Sequence, residues 1–550
     1  MSLQFITGNS GNGKTKYLFN RIVKEAKANP RDNYLVIVPE QFTMQTQRQL
    51  VDLSENKAIM NIDVLSFKRL AYRVFDELGI TNLTVLEETG KNLVLRKLAA
   101  QEADKLGVIG RNLNRIGYIS EVKSLLSELV QYNISPEELG RYIASGRLSD
   151  TLSDKLKDVL VLYEAFEKFM QDKYITAEEI LNVLSNVAEE SAILRNSVIA
   201  FDEFTGFTPI QNQLIKKLFV ISKKIYVTLT IDCREDIFKS RGMQELFDMP
   251  KRTVKSLTEM AAFYGIEVEE PIILDKNYRL AENEELSFME QQLFRKRRCS
   301  FKKVPKHIHI DCLRDPKQEL TKIARRINEL VRNENLRYRD IAIVTGDVNI
   351  YAGYVREIFD KYNIPYFIDA TQEILFHPFI EFIRSIPDIA AQNFSADAVF
   401  RFLRCGFSEL LDSEIDVLEN YVLACGVRGK SAWDKKWVRL PKHKAGYDIE
   451  LLNQSREYIM ELLKPVYQVF SDKKSTVKDY VLAIYKLIVL LDIPDKLAKK
   501  EQALLDAGDQ TASKEYGQIY KIVMQLFEKY VAVLGDECMD AEEFTQILDA

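Results

Sequence analysis

The octapeptide Gly8-Asn9-Ser10-Gly11-Asn12-Gly13-Lys14-Thr15 satisfies the pattern Gly-x4-Gly-Lys-Thr at every fixed position, and few short segments restrict a fold as tightly. Its glycines let the backbone wrap around an anion with successive N–H groups pointing inward. A helix must follow, so that its positive end faces the same anion, and a strand must lead in. Both are written beside the motif. Residues 3–7 form an apolar, strand-like run, and residues 16–28 read as a helix stopped by Pro30. In such a loop Lys14 reaches the β- and γ-phosphates and the Thr15 hydroxyl ligates Mg²⁺. All eight residues, Gly8 to Thr15, are therefore expected to bind ATP with Mg²⁺.

A P-loop requires a parallel sheet, and further strand candidates follow. Residues 34–38, 197–201 and Lys224–Thr230 are short apolar runs bounded by turn residues, and 63–66 adds a fifth candidate. Strand–helix alternation of this kind predicts an α/β fold: RecA-like parallel-sheet P-loop NTPase domains with inserted α-helical domains. Residues 1–85 with 191–275 make the first RecA-like domain, and 86–190, whose apolar positions follow helical spacing, make an inserted helical domain. A second α/β stretch covers 276–375, with strand candidates at 307–312 and 341–345, a helix over 318–333 between them, and 364–369 after another helix. Residues 376–550 read as a second helical insertion, incomplete at its C-terminus because the last helical pattern has no cap. At 550 residues, several domains are expected rather than one core.

Composition removes several classes. No apolar run approaches the roughly 20 residues of a membrane span, and the N-terminus does not resemble a signal peptide, so a cytoplasmic protein with no membrane partner is expected. Six cysteines lie far apart with no Cys-x-x-Cys pair, against a zinc ribbon or a disulfide framework. The net charge of −5 neither requires nor forbids nucleic acid. The densest basic run, Arg295-Lys296-Arg297-Arg298 with Lys302-Lys303, fits either a solvated loop or a phosphate-tracking patch.

The strand candidate at 197–201 ends in Asp202-Glu203, the form of a Walker B element. Asp202 would complete the Mg²⁺ shell with Thr15, and Glu203 would orient or deprotonate the attacking water. These two elements define a nucleotide site without saying what the energy drives. A kinase, a transporter ATPase and a helicase all fit.

Other segments narrow the choice. Asp202-Glu203-Phe204 with Gln211 nine residues after the Asp resembles superfamily 1 helicase motif II. Val64-Leu65-Ser66-Phe67-Lys68 resembles the helicase motif that touches single-stranded DNA, so Ser66, Phe67 and Lys68 are candidate DNA contacts. Phe67 fits a core role equally well. Asn277-Tyr278-Arg279 resembles the motif whose arginine contacts the γ-phosphate, which gives Arg279, with Lys14 and Glu203, an expected role in catalysis. Asp340-Ile341-Ala342-Ile343-Val344 followed by Ile364-Pro365-Tyr366 is similar to a stretch of UvrD- and RecB-like proteins.

Together with Val38-Pro39-Glu40-Gln41-Phe42-Thr43 and Phe207-Thr208-Pro209-Ile210-Gln211, these motifs resemble the AddB family, B subunits of bacterial ATP-dependent helicase–nucleases, across the whole chain. The resemblance implies a heterodimer with an AddA-type helicase/nuclease subunit that acts on double-strand DNA ends and single strands. Such complexes degrade DNA up to a chi sequence and prepare a strand for recombination. It also implies a C-terminal nuclease domain with metal-binding acids and a four-cysteine iron–sulfur cluster. Neither pattern occurs here, so the chain is read as the N-terminal portion of such a subunit. Two departures matter. Glu235 stands where helicases carry a γ-phosphate-sensing Gln, and a carboxylate beside phosphate is repulsive. The arginine of the last helicase motif lies beyond Ala550 or is absent. ATP binding with weak turnover by this chain is therefore expected. A stand-alone superfamily 1 helicase and a non-catalytic partner with an idle P-loop are the alternatives.

Overall fold

The computed structural model describes residues 1–549 except 81–84, 109, 111–115, 147, 172–173, 296–298, 370–373 and 442–446. Three residues of the basic run, Lys296, Arg297 and Arg298, thus lie outside the described residues. The chain is mixed α/β, organised around one seven-stranded sheet. From one edge inward the strands are β3 (Ile62–Leu65), β2 (Tyr34–Ile37), Val198–Phe201, Lys224–Thr230 and β1 (Ser2–Gly8). Two short strands, Glu267–Val268 and Ile272–Leu274, both pair with the far side of β1. Every pairing is parallel. Parallel neighbours need crossovers, and helices cover both faces accordingly.

The side-chain alternation of the strands divides the core. Phe5, Leu35, Ile37, Ile199 and Phe201 point to one face, where they pack with residues of α3 (Phe67–Leu78) and of the helices Pro209–Ile221 and Asp248–Phe263. Ile6, Val36, Val198, Ala200 and Tyr226 point to the other, against Leu18, Phe19 and Ile22 of α1 (Lys14–Ala28) and Leu50 of α2 (Thr43–Leu53). All five strands expected in this sheet form. The fifth ends at Leu65 rather than residue 66 because Ser66 is the N-cap of α3, its hydroxyl accepting a hydrogen bond from the Arg69 N–H at 3.3 Å. A fuller cap starts Pro209–Ile221: Thr208 and Gln211 exchange side-chain and backbone hydrogen bonds, with Pro209 in the first turn. Thr208→Ala is expected to lower stability by about 1 kcal/mol in chemical denaturation.

The helical stretch after residue 86 forms Glu88–Gln101, Ile116–Gln131, Pro136–Ala144 and Asp150–Met170. Its last helix, Ile180–Val187, instead packs Ile180 and Leu184 into the sheet core. A two-residue parallel ladder, Val85–Leu86 with Ile175–Thr176, ties entry to exit. It is too short to show in a periodicity. The helices between residues 86 and 170 share one continuous apolar cluster with those between 379 and 547. Lys97 bridges to Glu537 at 2.9 Å, and Arg96 donates to the Gln546 side chain at 3.0 Å. The two helical stretches are thus one layer.

The middle segment departs from expectation. The helix forms as Pro316–Asn333, capped by Asp315, but 307–312 and 341–345 are not strands. The backbone is extended at Ile341 (φ −113°, ψ 130°), yet it forms no ladder with any described segment. A strand is a property of a pair. Val344 and Phe367 are left exposed, and a trough of about 790 Å³ lies among Leu320, Ile327, Ile341, Val355 and Phe359. Among the described residues, no helix is long and apolar enough to cross a membrane.

Candidate nucleotide-binding site

The register Gly8↔Thr230 and Ile37↔Phe201 brings the carboxyl ends of four adjacent strands to one edge, where open parallel sheets bind ligands. The loop from Gly8 to Gly13 leaves β1 there and delivers Lys14 into the first turn of α1. Gly13 caps that helix with φ 79°, and Gly11 has φ 88°. Both lie in the left-handed region that favours glycine. Gly11 has no space for a side chain either. A Cβ there would sit 2.8 Å from Asn277 Oδ1 and 2.9 Å from Arg279 Cβ. Gly11→Ala is expected to destabilise the chain by roughly 1–3 kcal/mol, read from its thermal melt, and to weaken nucleotide binding.

Those neighbours belong to a clamp that holds the loop from outside. Asn277 Nδ2 donates to the Ser10 carbonyl at 2.9 Å, and the backbone N–H groups of Tyr278 and Arg279 donate to the Gly11 carbonyl at 3.0 and 3.3 Å. Asn12 Nδ2 donates to the Leu274 carbonyl at 2.5 Å. The side chain of Asn9 donates to Glu290 Oε1 at 2.8 Å and accepts from the Cys233 N–H at 2.9 Å. Asn9 and Asn12 therefore turn their side chains into the protein, and neither lines the cavity in front of Lys14.

Lys14 Nζ reaches back across the loop to the carbonyls of Gly8 and Asn9, both at 3.0 Å. Burial lowers its pKa, the carboxylates of Glu203 and Asp202 oppose that, and the Arg279 charge adds to it. A cavity of about 780 Å³ opens in front, lined by Ser10 to Thr15 apart from Asn12, by Asp202 and Glu203, and by Tyr278 and Arg279. The structure thus brings together the residues predicted from three separate segments.

Asp202 is 1 % exposed. One carboxylate oxygen accepts from the Thr228 hydroxyl, while Oδ2 is buried without a hydrogen-bond partner. Burial raises its pKa, the Glu203 charge raises it further, and the hydroxyls of Thr228 and nearby Thr15 pull it down. A buried carboxylate oxygen left open beside a threonine hydroxyl is the donor set a hard divalent cation takes, so these residues fit Mg²⁺. Asp202→Asn is expected to raise stability by about 1 kcal/mol at neutral pH, by removing a buried charge, and to weaken Mg²⁺-dependent nucleotide binding. Thermal melts and titrations with and without Mg²⁺ check the two halves of that result.

Glu203 is exposed and sits at φ 64°, a left-handed conformation that costs a non-glycine residue on the order of 1–2 kcal/mol. The turn aims its carboxylate at the cavity, 3.3 Å from the Thr15 hydroxyl. Strain of this kind persists where the surroundings impose it, here between the packed rings of Phe201 and Phe204.

Three expectations change. Glu235 does not line the cavity. Its carboxylate is bound at 2.6 Å by Lys251, a lysine 3 % exposed, so the repulsion expected against phosphate does not arise. Phe67 does not present a ring for stacking. It is 8 % exposed and packs against Phe201, Phe204 and Phe207. Ser66 uses its hydroxyl in the cap of α3, and of the three candidate DNA contacts only Lys68 is exposed.

One structural feature beside the site escaped the motifs. Asp232, 1 % exposed, is paired with Arg234 at 2.6 Å and with Arg295 at 2.9 Å, behind the Asn9 contact. Burial pushes its pKa up, but the hydrogen bonds from Arg234 and Arg295 outweigh this and hold it well below the usual carboxylate range. The pair therefore stabilises the folded chain at neutral pH, and that contribution is lost as pH falls through the lowered folded value. Nothing local in the sequence pairs 232 with 295. The six cysteines are free thiols.

Residues 5–290 match the family model described as ADDB, N-terminal, a span that includes all of the sheet but the first three residues of β1, the Gly8–Thr15 loop, Asp202 and the clamp. The chain is 38% identical over 559 residues to the B subunit of the ATP-dependent helicase/deoxyribonuclease of Lachnoclostridium phytofermentans, covering 100% of this chain and 48% of the relative. It is 32% identical over 560 residues to the protein so named in Caldanaerobacter subterraneus and 31% identical over 560 residues to that of Clostridium acetobutylicum, with the same coverage. The chain thus spans about half the length of the curated relatives it matches. A P-loop clamped from behind by the 274–279 segment and the family match over the same residues lead to one conclusion: the chain belongs to the ADDB N-terminal family.

Proposed function

We propose that this chain is the ATP-binding, helicase-like N-terminal part of the B subunit of an ATP-dependent helicase/exonuclease that processes double-strand DNA ends. The buried, open oxygen of Asp202 beside Thr15, facing the same cavity as Lys14 and Arg279, is the observation that carries the reading. In it the P-loop backbone and Lys14 hold the β- and γ-phosphates, Thr15 and Asp202 hold Mg²⁺, and Arg279 faces the terminal phosphate. Mg²⁺ bound there supplies charge neutralisation. Glu203 is placed to orient water. The names of the relatives support ATP use and DNA as substrate, and an AddA-type subunit is the proposed partner.

Turnover by this chain alone is proposed to be slow, because the residue at the expected γ-phosphate sensor position, Glu235, is committed to Lys251. Phosphate release at saturating Mg²⁺–ATP, with and without single-stranded DNA, tests this. Rapid DNA-stimulated hydrolysis by the chain alone would favour a stand-alone helicase instead. The exposed Lys68 is the remaining candidate DNA contact, and Lys68→Ala is expected to weaken single-strand binding at low salt while leaving stability within about 0.5 kcal/mol.

A further inference from the structure

The wall of the cavity opposite the P-loop is built by α2, from a stretch the nucleotide reading leaves without a task. β2 pairs with Val198–Phe201, so the chain leaves β2 beside Asp202. It turns through Glu40–Phe42 and enters α2, whose Gln45, Thr46 and Gln49 line the same cavity as Lys14, Thr15 and Glu203. β1 lies on the other side of Val198–Phe201, with Lys224–Thr230 between them. The cavity thus has the P-loop on one side, Asp202 and Glu203 between, and α2 across from it. A triphosphate seated in the loop extends its third phosphate toward the acidic pair, and so toward α2.

The chemistry of that wall is specific. Gln45 and Gln49 are four apart on one helix face, both are exposed, and neither makes a side-chain hydrogen bond among the described residues. An amide donates an N–H hydrogen bond to a phosphate oxygen and accepts a hydrogen bond from water with its carbonyl, a combination that neither a carboxylate nor an ammonium offers. Gln45 lies nearer the start of α2, and the helix runs away from the carboxyl edge of the sheet, so Gln45 stands closer to the phosphates.

Resting on the reading of the P-loop as an ATP–Mg²⁺ site, we infer that Gln45 is the neutral amide that contacts the third phosphate, the function that Glu235 cannot supply while bound to Lys251. Gln45 is thereby a specificity-determining residue, distinguishing nucleoside triphosphate from diphosphate. The sensing amide has moved from the end of Lys224–Thr230 to the helix after β2.

The test is titration of the 550-residue chain, in Mg²⁺, with ADP and with a non-hydrolysable ATP analogue, for wild type, Gln45→Ala, Gln45→Glu and Lys14→Ala. Gln45→Ala is expected to weaken the triphosphate analogue about tenfold, the worth of one hydrogen bond to a charged group, and to leave ADP within about twofold. Unchanged ADP binding also shows that the variant is folded. Gln45→Glu should discriminate against the third phosphate more strongly still, by like-charge repulsion. If Lys14→Ala abolishes both nucleotides while Gln45→Ala affects both equally or neither, the Gln45 assignment is overturned and the P-loop reading stands. If Lys14→Ala weakens neither, the P-loop reading fails and the inference falls with it.

Discussion

Lys14→Ala is expected to weaken Mg²⁺–ATP binding by about a hundredfold or more in calorimetric titration. A charge-assisted hydrogen bond is worth roughly 1.5–3 kcal/mol, and a P-loop lysine makes such bonds to two phosphates. The local setting strengthens the contact. Lys14 is half-buried, burial lowers its pKa, and in the absence of phosphate its ammonium is satisfied by the carbonyls of Gly8 and Asn9. An anion in the loop offers that ammonium a full charge in place of two carbonyl dipoles. Folding should depend on Lys14 much less, since Gly8, Ser10, Gly11 and Asn12 are anchored by Ile231 and the 274–279 clamp without it. A melting temperature near wild type combined with lost affinity is the expected pattern. Wild-type affinity in Lys14→Ala would remove the basis for an ATP site here.

The largest effect on stability is expected from Phe67→Ala, at about 3–5 kcal/mol in chemical denaturation. Its ring lies 5.8 Å from Phe201, 5.6 Å from Phe204 and 6.3 Å from Phe207, at the junction of α3, the Asp202 strand and the loop that follows. Truncation leaves a cavity and removes three ring contacts together. The same cluster holds the chain on either side of Glu203, whose left-handed backbone needs that support. Nucleotide affinity is therefore expected to fall with stability. Phe67→Leu separates the core role from the stacking role. It keeps most of the buried volume, so stability should drop by less than about 1.5 kcal/mol and single-strand affinity should hold. A sharp loss of DNA binding in a stable Phe67→Leu would show that the ring stacks on a base after all.

Acid provides a third probe. The carboxylate of Asp232 is held well below its ordinary range by Arg234 and Arg295, so wild type should lose stability as pH falls below about 4. Asp232→Asn should start less stable at pH 7 and show a flatter decline. A parallel decline in both proteins would remove the Asp232 pair as a determinant of the acid limb.

The P-loop, the five main strands, the α1 and Pro316–Asn333 helices and the Asp202-Glu203 step were all legible from neighbouring residues. Strand periodicity, a glycine at a left-handed turn and a helix-capping threonine each act within a few positions. Phe67 was ambiguous for the same reason: burial and stacking ask for the same residue type, and only the placement of Phe201, Phe204 and Phe207 decides between them. Glu235 misled because its partner, Lys251, stands sixteen residues away on another element. The strands expected at 307–312 and 341–345 have the right composition and form no ladder with any described segment.

By itself, then, the sequence determined that a glycine-rich Gly-x4-Gly-Lys-Thr loop sits between a strand and a helix, and that an Asp-Glu pair ends a neighbouring strand. Tertiary structure alone decided that Asn277, Tyr278 and Arg279 close over that loop, that Asn9 is tied to Glu290 across 281 positions, that two distant helical stretches share one core, and that Gln45 lines the cavity in front of Lys14. The physical reason is range. Backbone geometry and capping are settled by atoms a few bonds away, whereas a hydrogen bond or a packed ring between remote positions exists only once the sheet order has brought them to the same edge.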